Sequence, residues 1–177
     1  FTIRIVSIAA KVQEAAMVTI LYLTTFIISL SMTIYYLARN PKVDNLLVCF
    51  GIVLTLNGGG RFMLAVSSSL EMALFAQKLI YIGNCYCPFL LVHILTRMCN
   101  VRVPRFLTLL LFIFASTVFC LAMTIGILPV YYKSVALVQS GNYNYLAKVY
   151  GPTHFLNTVL MAVYSAVLLF YFVYSIK

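Results

Sequence analysis

The chain has 177 residues, of which 64% are hydrophobic and only 8% are charged, and its mean hydropathy is +1.05. Soluble domains carry about 25% charged residues, so this composition excludes soluble globular, disordered and disulfide-scaffold proteins and predicts a membrane protein. The formal net charge of +9 comes mostly from basic residues in short gaps between apolar runs. Membrane proteins place basic residues in this way, whereas nucleic-acid binding proteins gather them on a stripe, so no nucleic-acid partner is expected.

Five apolar stretches reach the roughly 20 residues that a helix needs to cross a lipid bilayer. They are residues 15–37, 46–68, 72–96, 106–128 and 152–176. Helices satisfy their own backbone hydrogen bonds in lipid, so the stretches predict an all-α membrane bundle of five visible helices within a single domain, residues 1–177. Apolar and polar residues alternate weakly at the start, which predicts a separate leader over residues 1–14, either a strand or an interfacial segment.

Residues 131–149, between the fourth and fifth spans, carry tyrosines and aliphatic residues on either side of a turn signal, Ser140-Gly141-Asn142. This pattern predicts a small extracytoplasmic β-hairpin over the mouth of the bundle. An irregular aromatic loop at the membrane interface is the alternative. The fifth helix is predicted to begin at Pro152, where the missing N–H of proline costs nothing.

Basic residues are unevenly divided between the two sides of the predicted bundle. Lys177 and five residues of the first and third loops lie on one side, against Arg4, Lys11, Lys133 and Lys148 on the other. Basic loops prefer the cytoplasm, which predicts an N-terminus outside. The five loop residues are assigned to membrane topology or to lipid headgroups: Arg39, Lys42, Arg97, Arg102 and Arg105.

A polar stripe is predicted between the second and third spans. Arg61 and Lys78 each lie seven residues from the link between these spans, which places both roughly 10 Å below the membrane boundary at 1.5 Å per residue. Because the link is short, the two helices are expected to be antiparallel neighbours, with Arg61 facing Lys78. Asn57 lies one turn below Arg61, and Tyr81 and Asn84 lie below Lys78.

Two cations in a low dielectric repel each other unless an anion lies between them. The functional interpretation is a pocket, open to the outside, that binds a carboxylate or phosphate group of a ligand. The structural interpretation is that the two cations pair with Glu14 or Glu71, or extend to the lipid headgroups. His154 and Asn157 share a face at the start of the fifth span. They extend the pocket, sense extracytoplasmic pH, or cap the helix at the interface.

Gly83 and Pro88 interrupt the third span and are predicted to form a hinge, since Pro88 cannot donate a hydrogen bond to the carbonyl of Asn84. The hinge is either a moving part or a static bend.

The predicted spans contain no Asp or Glu, which argues against ion-coupled transport and against general acid–base catalysis. The cysteines and histidines have no metal-ligand spacing, so no catalytic residue, metal or cofactor is expected.

Several features follow one another in a distinctive order. Tyr35-Tyr36-Leu37-Ala38-Arg39 closes the first span, Leu79-Ile80-Tyr81-Ile82-Gly83 leads to Pro88, and the aromatic segment runs into Tyr150-Gly151-Pro152. In this order the sequence resembles the N-terminal seven-helix sensor region of bacterial histidine kinases and of some diguanylate cyclases. The resemblance covers residues 15–177, and Gly60-Arg61 departs from its pattern, so no ligand is transferred from a relative.

This resemblance implies a sensory input domain in the bacterial inner membrane, with an outside N-terminus and a homodimeric full-length protein. Both ends of the chain look cut, and two further helices and a cytoplasmic kinase or cyclase module are expected after Lys177. The fragment itself is expected not to be an enzyme. The expected partners are the lipid bilayer and a small anionic or amphipathic ligand, whose binding would shift the populations of two helix packings.

Two other functions compete with the sensor. One is a transporter or channel subunit with an anion path lined by Arg61 and Lys78. The other is a membrane scaffold that binds lipid headgroups through Arg97, Arg102 and Arg105.

Overall fold

The computed structural model describes the backbone of residues 2–39, 44–140 and 143–175, and the side chains of residues 16–39, 44–138 and 144–175. Its helices are α1 (Thr2–Arg39), α2 (Asn45–Ala65), α3 (Leu70–Met98), α4 (Arg105–Met123) and α5 (Phe155–Ser175). Two strands, β1 (Tyr132–Ser140) and β2 (Tyr143–Tyr150), lie between α4 and α5. The five described helices are long and apolar enough to cross a membrane, so the predicted multi-pass helical bundle with a small hairpin is confirmed.

The first helix begins much earlier than expected. Of the two forms predicted for residues 1–14, the strand is wrong, because the backbone forms one helix of 38 residues from Thr2 to Arg39. The part of this helix that is apolar enough to cross a membrane begins at Ala16, and an interfacial role for the residues before it remains a prediction. The sequence contains no Gly or Pro between these two residues, so no helix-breaking residue separates the leader from the span. Helices usually end at or before the residue that precedes a proline, and Pro41 follows shortly after Arg39.

Two helices end earlier than the apolar runs that predict them. α2 stops at Ala65, and Ser69 then caps α3 by accepting a hydrogen bond from the backbone N–H of Met72 (3.2 Å). α4 stops at Met123, and Gly126 follows with a φ of +81°, a left-handed conformation that glycine adopts without steric cost. The short link between α2 and α3 makes these two helices antiparallel neighbours, as predicted.

α2 and α3 approach each other closely because glycine leaves room at two points of contact. A Cβ atom at Gly83 of α3 would overlap the side-chain amide of Asn57 on α2. A Cβ atom at Gly60 of α2 would lie 2.9 Å from the carbonyl oxygen of Ala76 on α3. Small residues at such points let two membrane helices pack backbone against backbone. On its other side, α2 packs against α1.

The apolar core lies between α3, α4 and α5. One stripe of α4 is completely buried, with a spacing that keeps its members on one helix face: Leu111, Ala115, Val118 and Ala122. On α5, the buried Tyr164 donates a hydrogen bond from its hydroxyl to the carbonyl oxygen of Leu111 (2.9 Å). The opposite face of α4 carries exposed Leu, Ile and Phe side chains, which suits contact with lipid tails.

The segment between α4 and α5 is the predicted hairpin rather than an irregular loop. β1 and β2 pair antiparallel, with Tyr132 opposite Tyr150 at the open end and an irregularity between Tyr132 and Ser134. Tyr131, Tyr132 and Leu146 are buried, which supplies the packing that an isolated hairpin in water lacks. The residues at the tip, 141–142, lie outside the described chain.

Two polar contacts identify which loops share an end of the bundle. At the hairpin end, Asn144 donates from Nδ2 to the carbonyl oxygen of Ser67 in the α2–α3 link. At the opposite end, Arg97 pairs with Asp44, with 2.6 Å between nitrogen and oxygen, so the start of α2 and the end of α3 lie together. Of the other predicted topology residues, Arg39, Arg102 and Arg105 are exposed, and Lys42 lies outside the described residues.

We expect the Gly83→Ala variant to lose about 1–3 kcal/mol of stability, the usual cost of overpacking, because its Cβ would displace the hydrogen-bonded amide of Asn57. Gly59→Ala is the matched control, since its Cβ would meet only the ring of Phe26 at 3.1 Å, which can rotate away. The measurement is unfolding in detergent followed by circular dichroism. Equal stability of the two variants would contradict close packing at Gly83.

Candidate functional site

A polar cavity of about 290 Å³ lies between the hairpin and helices α1, α2 and α3, and is called the hairpin cavity below. Each of these elements contributes side chains to its wall, as does the segment just before α5. The polar side chains that concern its chemistry are Arg61, Gln77, Tyr81, Asn84, Lys148 and His154. The cavity therefore collects residues that lie far apart in the sequence.

Lys148 reaches the hairpin cavity from β2. Alternation along the strand turns Leu146 and Lys148 toward the helices and leaves Ala147 and Val149 exposed. The ammonium group of Lys148 donates a hydrogen bond to Oε1 of the buried Gln77 on α3 (2.8 Å). It also lies 5.5 Å from the ring centroid of Tyr132, within the range of a cation–π contact. These contacts hold a half-buried cation in the cavity.

Arg61 enters the hairpin cavity from α2 and is oriented by Asn57, one turn earlier. Its Nε donates a hydrogen bond to Oδ1 of Asn57 (3.0 Å). The amide nitrogen of Asn57 in turn donates to the carbonyl oxygen of Ile80 (2.9 Å) and to Oδ1 of Asn84 (3.2 Å) on α3. The terminal nitrogens of Arg61 donate to no other described residue, so they remain available to a ligand.

Aromatic residues close the hairpin end of the cavity. The hydroxyls of Tyr81 on α3 and Tyr132 on β1 share a hydrogen bond. The ring of Tyr131 stands edge-on to that of Tyr81, with centroids 5.3 Å apart. The ring of His154 lies against that of Tyr150, with centroids 4.1 Å apart and the planes tilted by 30°. The hairpin is therefore fastened to α3 and to the start of α5 by rings as well as by Lys148.

The two cations influence each other across the cavity. Burial, assisted by the positive charge of Arg61, lowers the pKa of Lys148 to about 8. Burial, assisted by Lys148, also lowers the pKa of His154 below its usual range. At neutral pH Lys148 is therefore mostly charged and His154 mostly neutral. Since the described lining residues include no Asp or Glu, the cavity carries an uncompensated positive charge.

The predicted site residues separate into three groups. Four of them line the hairpin cavity: Arg61, Tyr81, Asn84 and His154. Asn57 lies behind Arg61 and orients it. Lys78 and Asn157 do not line the cavity, although Asn157 has a buried Oδ1 without a hydrogen-bond partner among the described residues. The ligand-binding role of the set remains a proposal, taken up below.

The expectation that Lys78 faces Arg61 finds no support at the hairpin cavity, which Arg61 lines and Lys78 does not. Gln77 and Tyr81 point into the cavity from α3, and Lys78, one residue further round the helix from Gln77, lies outside it. Distance from the helix end predicts depth in the membrane but not the face on which a residue lies. The alternative pairing also fails where it can be checked, because Lys78 forms no ion pair with Glu71 in the described chain. The side chain of Glu14 lies outside the described residues.

Sequence reasoning missed Gln77 and Lys148. The period of β2 gives no usable signal for Lys148, because the opposite face of the strand, with Tyr145, Ala147 and Val149, is the more apolar one in the sequence. Gln77 is four residues before Tyr81 and so shares its helix face.

The residues predicted as a hinge lie within one continuous helix. α3 runs through Pro88 without a break in its assignment from Leu70 to Met98. Gly83 is buried against Asn57, so close packing is sufficient reason for a glycine there. A hinge role for Gly83 and Pro88 remains a proposal.

Lys148 should make the stability of the protein depend on pH. Its folded-state pKa of about 8 is below the ordinary value of 10.5, so between these pH values the unfolded chain binds more protons and stability rises with pH. We expect the unfolding free energy of the parent, relative to Lys148→Met, to increase from pH 7.5 to pH 10 in detergent. Lys133→Met, which removes an exposed lysine from the same hairpin, is the matched control. A pH-independent difference for Lys148→Met would contradict the burial of this ammonium group.

One family model matches the chain: the N-terminal 7TM region of histidine kinase, over residues 21–177. Neither a curated protein nor a solved structure matches the chain significantly. The matched range includes every described residue that lines the hairpin cavity.

Proposed function

The chain belongs to the family of N-terminal 7TM regions of histidine kinases, and we propose that it is the sensory input domain of a bacterial signal-transduction protein. The family is a sensor region and not a catalytic one. The observation that carries the proposal is the hairpin cavity, a polar site built jointly by the hairpin and by membrane helices. The output module would be a histidine kinase or a diguanylate cyclase.

A ligand in the hairpin cavity would contact three elements at once, through Arg61 on α2, Gln77 on α3 and Lys148 on β2. Hydrogen bonds between side-chain amides and between tyrosine hydroxyls tie α3 to α2 and to the hairpin. A ligand that binds one arrangement of these elements more tightly than another shifts their populations by its difference in affinity. Ligand binding and helix packing are thereby coupled.

α3 is the element suited to carry the signal across the membrane. It runs for 29 residues from the cavity to the opposite end, where Arg97 in its last turn pairs with Asp44 before α2. Pro88 lies between these two ends and leaves the carbonyl of Asn84, a cavity residue, without its usual helical donor. A change of packing at Asn84 would therefore be transmitted to a section of α3 that bends more readily.

The competing anion path through a channel or transporter requires Arg61 and Lys78 on one surface. Lys78 lies outside the hairpin cavity, so no contact among the described residues favours that function over a sensor.

In the full-length protein in vesicles, we expect Arg61→Gln and Lys148→Gln to change the rate of autophosphorylation, or of cyclase activity, at least about fivefold. Each removes one of two repelling charges and so alters the balance between packings, and couplings of this kind usually correspond to 5- to 150-fold effects. Lys78→Gln, a matched change at similar depth but outside the cavity, should keep the parent rate. If all three variants match the parent, the hairpin cavity does not control the output.

We also propose that the hairpin lies outside the bacterial inner membrane, with the N-terminus on the same side. In a background without the five native cysteines, Lys133→Cys on the hairpin should react with a membrane-impermeant maleimide on spheroplasts. Arg102→Cys, exposed between α3 and α4, should react only after the membrane is opened. The opposite labelling pattern would reverse the orientation.

A further inference from the structure

We propose that the hairpin cavity is a receptor site for an oxyanion, a carboxylate or phosphate group, held between Arg61 of α2 and Lys148 of the hairpin. The inference rests on the proposed sensory function for its biological meaning, although the binding itself can be tested separately. The bound group would lie between two side-chain charges that otherwise repel each other. Three properties of the hairpin cavity support this site: its net positive charge, the unused hydrogen-bond donors of Arg61 and Lys148, and its volume.

The charge of the cavity has no counter-ion among the described residues. Asp44 pairs with Arg97 at the opposite end of the bundle, and Glu71 is exposed at the start of α3. The cations that face each other are therefore Arg61 and Lys148, with a neutral amide and tyrosine hydroxyls around them. Charges in a partly buried site interact more strongly than in water, so an entering anion relieves repulsion as well as gaining attraction.

The donors that remain are those that an oxyanion requires. Arg61 uses Nε for Asn57, which leaves its terminal nitrogens for a carboxylate or phosphate group, the partners that a guanidinium binds best. An ammonium group has three donors, and Lys148 donates one of them to Gln77. Gln77 thus aims the ammonium group without neutralising it. A phosphate or carboxylate would complete both donor sets.

The size of the cavity limits what carries the anion. A volume of about 290 Å³ is at the lower end of the range for small-molecule sites, so the anionic group and a small remainder fill it. Arg61 and Tyr22 also line an apolar groove of about 840 Å³ between α1 and α2. A soluble anion would occupy the cavity alone, whereas the same group on an amphiphile would place its chain in the groove.

The test uses the purified full chain in uncharged detergent, with acetate, inorganic phosphate and decanoate as probes and decanol as the uncharged control. Anions that bind the folded state raise its melting temperature with concentration, so an apparent affinity follows from the titration. We expect Arg61→Gln and Lys148→Gln each to weaken that affinity at least about tenfold, as loss of a hydrogen bond to a charged group does. Lys148→Arg, which keeps the charge, should retain binding.

Lys78→Gln is the matched control, because it removes one positive charge without touching the cavity. Saturable stabilisation by acetate or phosphate supports the proposal with a soluble source. Stabilisation by decanoate alone, and not by decanol, supports it with an amphiphilic source. The proposal is overturned if no anion stabilises the chain, or if Lys78→Gln weakens binding as much as Lys148→Gln does.

Binding and signalling fail in different ways. An anion that binds the purified chain but leaves the output of the full-length protein unchanged would support the receptor site and contradict its sensory role. If none of the probes binds the purified chain, but the cavity variants still change the output of the full-length protein, the oxyanion site is contradicted. The proposed sensory function is then retained. Melting temperatures of the variants without any probe establish that each one folds.

Discussion

The close approach of α2 and α3 at Gly83 is the constraint on which the site depends. Without a side chain at Gly83, Asn57 can lie against α3 and donate to the carbonyl of Ile80 and to Asn84. This leaves the oxygen of the Asn57 amide directed toward α2, where it accepts from Arg61. One missing Cβ atom therefore determines the packing of two helices and the position of the cation in the hairpin cavity.

The hairpin contributes the second cation at a cost. Moving a charged group out of water is unfavourable unless hydrogen bonds and charges compensate it, and the charge of Arg61 repels that of Lys148. Gln77 and the ring of Tyr132 compensate only in part. An apolar residue at this position of β2 would be cheaper for stability alone. The arrangement is easier to understand as a site prepared for an anion than as a structural contact.

The sequence predicted the helices and the hairpin well, because apolar length and turn signals are properties of short segments. It predicted the contents of the site less well. α3 is apolar around most of its circumference, so its pattern does not distinguish the face of Gln77 from that of Lys78, and only packing against α2 and the hairpin decides between them. The alternation of apolar and polar residues at positions 1–8 suggested a strand, but it is short and weak. The absence of Gly and Pro from Thr2 to Arg39 favours a continuous helix instead.

The two ends of α3 differ in how firmly they are held, and this difference bears on transmission. At the hairpin end, α3 is held by a partly buried amide hydrogen bond and a buried tyrosine hydrogen bond. At the opposite end it is held partly by Arg97 and Asp44, whose side chains are 68% and 28% exposed, and exposed ion pairs contribute about 0–1 kcal/mol. Loss of the contact between Arg97 and Asp44 therefore costs little free energy. Under the proposed sensory function, this asymmetry would let the hairpin cavity hold a ligand while the weaker contact between Arg97 and Asp44 changes.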